Sequence, residues 1–568
     1  MKRHILCAAA ALLAATALGG CGTSGAVQSD ISTAPIAVYD DTARAEQDAP
    51  AGLNSDSAAS VATARENDVF TMSGTQFKNN AGGYSVTVPD GLTVIDMGDA
   101  TYRSTLETRD ASQRLEITTQ TLGDDVSAET FINYSNKFLE ATHDFTTTYN
   151  RAINDPATDT TIHYLTWERR VLARVENDRN YYGTLDIIKG KNVYSFLLTS
   201  QTPVDQATLR DLAESFKSFT PTVEAKEFPR QVHERDDLTA ETRKFYDTVF
   251  ADDADLTWGI FEPGVSGKSL RELVEVQDKL QHKFDIVLCY SNVYEDYEPN
   301  KIYNTLSRLW DNGSVVELTL QTQLIDPLNE SNMVYDILDG KYDAFLHDYA
   351  ADVARFDHPV LFRPFNEMNG DWCNYSAYWT ARDSSTYVEL YRYIYDIFEE
   401  EGANDHTLWV WNPNEKSFPD FCWNSADSYY PGDEYVDIVG LTGYNTGDYY
   451  DGEIWRSFDE IYAPLYAKTA PQYEQPLMIT EFACSSYGGD KAAWTKNMFD
   501  RLGDYPRIKA AVWWDSADKD EKNNIARPYY IDNDKNALAI FKDHLAEKDY
   551  KVNPREYTTI LLRPYDLY

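Results

Sequence analysis

The chain has 568 residues, of which 51 are Lys or Arg and 92 are Asp or Glu, for a formal charge of −41. That balance excludes nucleic acid, whose binding needs clustered cations, and disfavours a broad electrostatic grip on anionic lipid. Apolar residues at 43% allow a real core, and 40 Tyr with 12 Trp supply flat apolar faces with polar tips, suited to wet binding surfaces.

Met1-Lys2-Arg3 is followed by an apolar run from Ile5 to Leu18. The run is shorter than the ~18 to 20 residues a membrane span needs, so it reads as a secretory signal. Leu18-Gly19-Gly20-Cys21 resembles a bacterial lipobox, which implies cleavage before Cys21 and lipid attachment to its thiol. The expected location is therefore extracytoplasmic, tethered to the cell envelope by lipid. Residues 22–69 are rich in Ala, Ser, Thr and Asp and read as a flexible spacer. Cys289, Cys373, Cys422 and Cys484 remain in the mature chain. Four cysteines allow three pairings, and free buried thiols are equally compatible.

Residues 70–225 change character. Tyr84 to Val88, Arg114 to Thr118 and Ile162 to Trp167 alternate with period two. Leu185 to Ile188 and Val193 to Leu197 flank Lys189-Gly190-Lys191-Asn192 as a hairpin. Helices are predicted over Ala128 to Glu140 and Asp205 to Lys217. Strands in runs with helices beside them imply an α+β domain with an antiparallel sheet. It is similar in length and element order to PsbP- or DcrB-like domains of bacterial lipoproteins. It carries no catalytic constellation, reads as a spacer or interaction module, and is expected to be dispensable for catalysis. Residues 226–254 form a charged connector with one helix near Thr242 to Phe250.

Over residues 255–546, eight short apolar runs alternate with helical stretches. They are Trp258 to Phe261, Asp285 to Tyr290, Val315 to Leu320, Pro359 to Pro364, Thr407 to Trp411, Val436 to Leu441, Pro476 to Glu481 and Ile508 to Trp514. Near-continuous apolar runs are strands buried on both faces. Eight of them with helical crossovers over about 290 residues match an α/β fold of the (β/α)8 TIM-barrel kind. A doubly wound open sheet is the alternative, but no Gly-rich turn follows the first strand. Residues 547–568 are a C-terminal extension.

In such barrels chemistry sits at the C-terminal strand ends. Strand four ends in Arg363-Pro364-Phe365-Asn366-Glu367-Met368-Asn369-Gly370-Asp371-Trp372, strand six in Gly443-Tyr444-Asn445, and strand seven in Thr480-Glu481-Phe482. Strands four and seven lie across the mouth, so Glu367 and Glu481 can face each other. Two facing carboxylates are the minimum kit for glycosidic cleavage, one protonating the leaving oxygen and the other attacking or activating water. Direct attack with retention needs them about 5 to 5.5 Å apart. Asn366 is placed to bond a sugar hydroxyl, and Tyr444 to hold the nucleophile.

The ten-residue motif after strand four closely resembles the acid/base motif of glycoside hydrolase family 26, and Thr480-Glu481-Phe482 resembles its nucleophile motif. The resemblance implies Glu367 as acid/base, Glu481 as nucleophile and Trp372 as a substrate-facing aromatic. Arg363, Asn366, Trp411, Tyr444 and Trp513 complete the expected substrate-binding set. It implies a retaining, endo-acting hydrolase of β-mannan, mixed-linkage β-glucan or β-1,3-xylan, without a cofactor. Asn366 stands where many mannanases of the family have His, which weakens a mannan assignment. The expected partner is a neutral polysaccharide and the expected state a monomer. A non-catalytic glycan-binding lipoprotein is the competing reading. A metal site is not expected, since no His-Glu-x-x-His or paired Cys-x-x-Cys occurs. Asp515 to Asp520 reads as a solvated loop, and Asp448-Tyr449-Tyr450-Asp451-Gly452 as a loop on the substrate side.

Overall fold

The computed structural model describes residues 69–551, except 97–101, 142, 175–176, 225–228, 267–268, 295–296 and 323–330. The signal segment, Cys21 and the spacer up to residue 68 lie outside the described residues, as does the extension from residue 552. No helix among the described residues is long and apolar enough to cross a membrane.

The N-terminal domain is built on antiparallel sheets. Seven strands run in the spatial order Leu92–Asp96, Arg103–Thr108, Gln113–Thr121, Asn192–Ser200, Tyr181–Lys189, Thr160–Arg169, Phe145–Asp155. A smaller four-stranded sheet joins Phe70–Ser73, Gln76–Asn79, Tyr84–Thr87 and Lys217–Ser218. The expected hairpin forms, with Lys189 opposite Asn192 and Gly190 at φ 60° in its turn. That left-handed angle suits glycine and matches the twist of the flanking strands. The first helix is shorter than its periodicity predicts. It spans Ala128–Ser135, with Ser127 capping its N-terminus, and a second short helix covers Phe138–Ala141. Asn136 separates them, its amide donating to the Ile132 carbonyl at 2.7 Å. An Asn side chain competes for backbone groups in this way and ends helices. Strand Phe145–Asp155 has no alternating pattern, because it is an edge strand with only Phe145 buried.

The C-terminal half closes into a parallel barrel. Its strands are β1 Thr257–Phe261, β2 Ile286–Asn292, β3 Val315–Gln321, β4 Val360–Pro364, β5 Thr407–Trp411, β6 Ile438–Thr442, β7 Leu477–Phe482 and β8 Ile508–Trp514. Closure is carried by β1 against β8, from Thr257 opposite Ala510 to Phe261 opposite Trp514. The fold class expected from the apolar runs is therefore correct, and every β4 to β8 residue is buried on both faces. The segment 515–520 is not a solvated loop. Ala517–Lys519 pairs with Ile525–Pro528 as a hairpin after β8, with Asp515 and Ser516 buried at its base. Cys289, Cys373, Cys422 and Cys484 are all free thiols.

The connector is stitched to the barrel. Arg235 is buried and bonds Asp237, Asp437 and the Asn404 carbonyl. The N-terminal domain is not a detached unit either. Leu122, Phe131, Leu172, Ile188 and Val193 belong to the same apolar core as the barrel.

Candidate active site

The loop after β4 begins with two sharp backbone reversals. Phe365 and Glu367 take φ 53° and 55°, left-handed angles that are uncommon for residues with a Cβ and cluster at functional sites. The Glu367 N–H donates to the Asn412 carbonyl beyond β5 at 2.7 Å, and its carbonyl accepts from Gly370 N at 2.9 Å. Trp372 Nε1 donates to Glu367 Oε2 at 3.3 Å, and its ring packs against Phe418 at 5.3 Å. Gly370 lets the indole come this close. A Cβ there would lie 2.5 Å from the Trp372 ring.

Glu481 is near the end of β7, where the pairing register slips against both neighbours. Such irregularities re-aim a side chain at a sheet end. Its Oε2 accepts from Tyr290 Oη and from Arg363 Nη2, the latter at 3.2 Å. Its Oε1 has no donor among the described residues. Arg363 is fully buried and is held by Thr319 Oγ1 and Asn412 Oδ1, each at 2.9 Å, and by Glu317 at 3.1 Å.

The two carboxyls are close enough for one to act on the other. Burial and then the Glu481 charge push the Glu367 carboxyl up to about 8, while Arg363 and the Trp372 hydrogen bond act downward. A carboxyl raised in this way holds its proton at neutral pH and can act as an acid. Burial also drives the Tyr290 hydroxyl well above its ordinary value, and the Glu481 charge adds to this, so Tyr290 remains a donor.

Several expected site residues lie elsewhere or do something else. Arg363 does not face substrate. It lies beneath Glu481 inside the barrel. Trp411 is 1% exposed, donates to the Tyr429 carbonyl and packs on Tyr430 and Tyr473. Trp513 is 0% exposed, donates to the Tyr529 carbonyl and packs on Trp494 and Phe541 in the helical layer. Both tryptophans are core. Successive strand residues point to opposite sides, and these two point away from the mouth. Trp514, one residue on, packs against Phe261 and Tyr444 at the mouth instead. Tyr444 packs against Trp514 and Tyr529, and the hydroxyl that bonds Glu481 belongs to Tyr290.

Asn366 is buried beside Glu367 in the chain. Gln321 Nε2 donates to its Oδ1 at 2.9 Å, which leaves the Asn366 amide N–H groups to donate outward. Gln321, Tyr290 and Glu317 stand in no sequence motif. Gln321 ends β3 and Tyr290 lies two residues before the end of β2, so reading those two strand ends as well would have found them. Glu317 is interior to β3, and only its pairing with Arg363 reveals it. Burial raises its carboxyl to about 8, opposed by Arg363 and assisted by Glu481.

The hairpin after β8 forms another wall. Asp518 bonds Arg527 at 2.9 Å, is raised to about 6 by burial, and its charge is felt at Glu367. Tyr449 bonds Asp520 at 3.1 Å and stacks on Tyr487 at 6.2 Å, which places the tyrosine run beside this wall.

Residues 297–485 match the family described as Glycosyl hydrolase family 26. The chain is 30% identical over 287 residues to Endoglucanase H of Acetivibrio thermocellus, covering 49% of this chain and 29% of that protein. It is 31% identical over 161 residues to the mannan endo-1,4-beta-mannosidase of Bacillus subtilis, covering 24% and 42%. It is 25% identical over 178 residues to Beta-1,3-xylanase TXYA of a Vibrio, covering 31% and 35%. The chain thus spans less than half the length of each. Among solved structures it is similar to a Bacillus subtilis mannanase at 21% identity, over 56% of this chain and 96% of that one, with TM-score 0.39.

Proposed function

We propose that the protein is a retaining, endo-acting β-glycanase of a neutral polysaccharide, its barrel half a member of glycosyl hydrolase family 26, whose family model matches residues 297–485. The observation that carries this reading is the pair itself. Glu481 has one oxygen fixed by Tyr290 and Arg363 and the other undonated, opposite a Glu367 whose carboxyl is raised by burial and then by the Glu481 charge.

In the first step Glu481 Oε1 attacks the anomeric carbon while Glu367 gives its proton to the departing glycosidic oxygen. The glycosyl-enzyme forms and the aglycone leaves as an alcohol. In the second step Glu367, now ionised, takes a proton from water, and the hydroxide displaces Glu481. Two inversions give net retention. The Asn366 amide donates to the hydroxyl beside the reacting carbon. Relatives whose names specify mannan, glucan and β-1,3-xylan hydrolysis support the β-glycan class, and β-mannan or mixed-linkage β-glucan is the proposed substrate. The lipobox-like Cys21 supports action outside the cytoplasmic membrane by a lipid-tethered protein.

The test is incubation of the purified protein with mannan, mixed-linkage β-glucan and xylan, followed by product analysis. Internal cleavage products with retained configuration are expected from one of them. Glu481→Ala and Glu367→Ala should each cost at least about a hundredfold in kcat. Binding of a polysaccharide with no released sugar refutes the assignment.

A further inference from the structure

The loop that carries Glu367 is held from outside the barrel. Between β4 and the helix Ser385–Glu400, four residues with a Cβ take left-handed backbone angles. They are Phe365, Glu367, Ala381 and Arg382, with φ of 53°, 55°, 64° and 62°. Such angles persist only where the surroundings impose them.

For Ala381 and Arg382 those surroundings are the N-terminal domain. Ala381 is fully buried in a cluster with Phe138, Phe145, Leu165, Trp167 and Tyr182. The Arg382 guanidinium makes a two-pronged bond to Asp186, Nη1 at 3.1 Å and Nη2 at 2.9 Å, and both side chains are inaccessible. Asp186 is itself fixed by Ser195 Oγ at 2.5 Å. Arg382 also lies over the rings of Phe131 and Trp423.

The near end of the same loop is tied as well. Tyr134 Oη donates to Asp371 Oδ2 at 2.6 Å, and its ring packs on Tyr378 and Phe421. Asp371 adjoins Trp372, whose indole N–H meets Glu367. The loop after β5 joins the contact. Trp423 Nε1 donates to Ser135 Oγ at 3.1 Å, and Cys422 N donates to Gln120 Oε1 at 2.8 Å. The expectation of a dispensable spacer domain does not account for a buried ion pair and the Tyr134–Tyr378 ring contact on the acid/base loop.

We propose that the N-terminal domain is a clamp on the acid/base loop, with Tyr134 and Asp186 as positioning residues that keep Trp372 and Glu367 aimed at the leaving oxygen. Its catalytic consequence rests on Glu367 being the acid/base. Its structural content does not.

The test uses full-length protein with Tyr134→Phe and Asp186→Asn made separately. Tyr134→Phe keeps the ring and removes only the hydroxyl, so folding is preserved. Hydrogen exchange over residues 369–384 should quicken by about tenfold in each variant, while β8 stays unchanged. Turnover of polysaccharide should fall by about tenfold. The kcat/KM for an aryl glycoside with a dinitrophenolate leaving group should change by less than about twofold, because that group departs without a proton. Unchanged exchange over residues 369–384 overturns the clamp. Equal losses on the two substrates overturn positioning, since general destabilisation lowers both alike. If the parent protein cleaves no polysaccharide, the functional reading fails, and the exchange result alone decides the clamp.

Discussion

Tyr290 and Tyr444 both lie near Glu481, but only Tyr290 donates to it. A donor aimed at a nucleophile's oxygen orients it and takes part in the charge change as the glycosyl-enzyme forms. Tyr290→Phe should therefore lower kcat by about 10- to 100-fold, and Tyr444→Phe by much less. Steady-state kinetics on the cleaved polysaccharide compares them, and a larger loss for Tyr444→Phe reverses the two roles. Trp411 and Trp513 make the opposite kind of prediction. Each is sealed in the core, so Trp411→Ala and Trp513→Ala should cost about 3 to 5 kcal/mol of stability through the cavities they leave. The KM of the folded fraction should not move. A raised KM with unaltered denaturant unfolding would place these rings at substrate after all. Sequence alone ranks these tryptophans as sugar platforms because they sit at strand ends. Which side of the strand each faces is set by the pleat, and the shift of one residue from Trp513 to Trp514 separates core from cleft.

At the scale of elements, the strand-four motif is legible in the sequence, since a ten-residue run identifies the loop that holds the acid. Its electrostatics depend on the partner strand. Glu367 is raised to about 8 by burial and by Glu481 on β7. The proposed acid works only when protonated, so kcat/KM should hold below that value and fall as pH rises through it. A pH–rate profile reads this directly. An alkaline limb near the ordinary glutamate range contradicts it. Gly370→Ala tests the same loop without touching a charge. The added methyl would displace the Trp372 ring from Glu367, so kcat should fall while thermal unfolding stays nearly unchanged. The hairpin after β8 is hidden in the sequence because a run of carboxylates resembles a solvated loop. Asp518 is instead buried against Arg527, a residue nine positions later that only the folded hairpin brings to it.

For the molecule as a whole, buried carboxyls give stability a definite pH dependence. Glu262 and Asp515 are raised to about 7, Glu317 and Glu367 to about 8, in each case chiefly by burial. A group whose folded value lies above its unfolded value binds extra protons on folding. The stability it contributes is full below the unfolded value, near 4, and is lost as pH rises through 7 to 8. The net charge of −41 acts in the same direction through self-repulsion. The midpoint of thermal unfolding should therefore be lower at pH 8.5 than at pH 5.5, and an equal or higher midpoint at pH 8.5 refutes it. By itself the sequence determined the order of the eight barrel strands, the barrel class and the two glutamates that the fold brings together. Those signals are local: apolar runs of strand length, turn residues between them, and a motif contiguous in the chain. Only the tertiary structure decided that Tyr290 and Arg363 grip one oxygen of Glu481, that Trp411 and Trp513 are core, and that the N-terminal domain is seated on the acid/base loop. Each of these is a contact between residues far apart in the chain. Its geometry comes from barrel closure and domain docking, which no local pattern encodes.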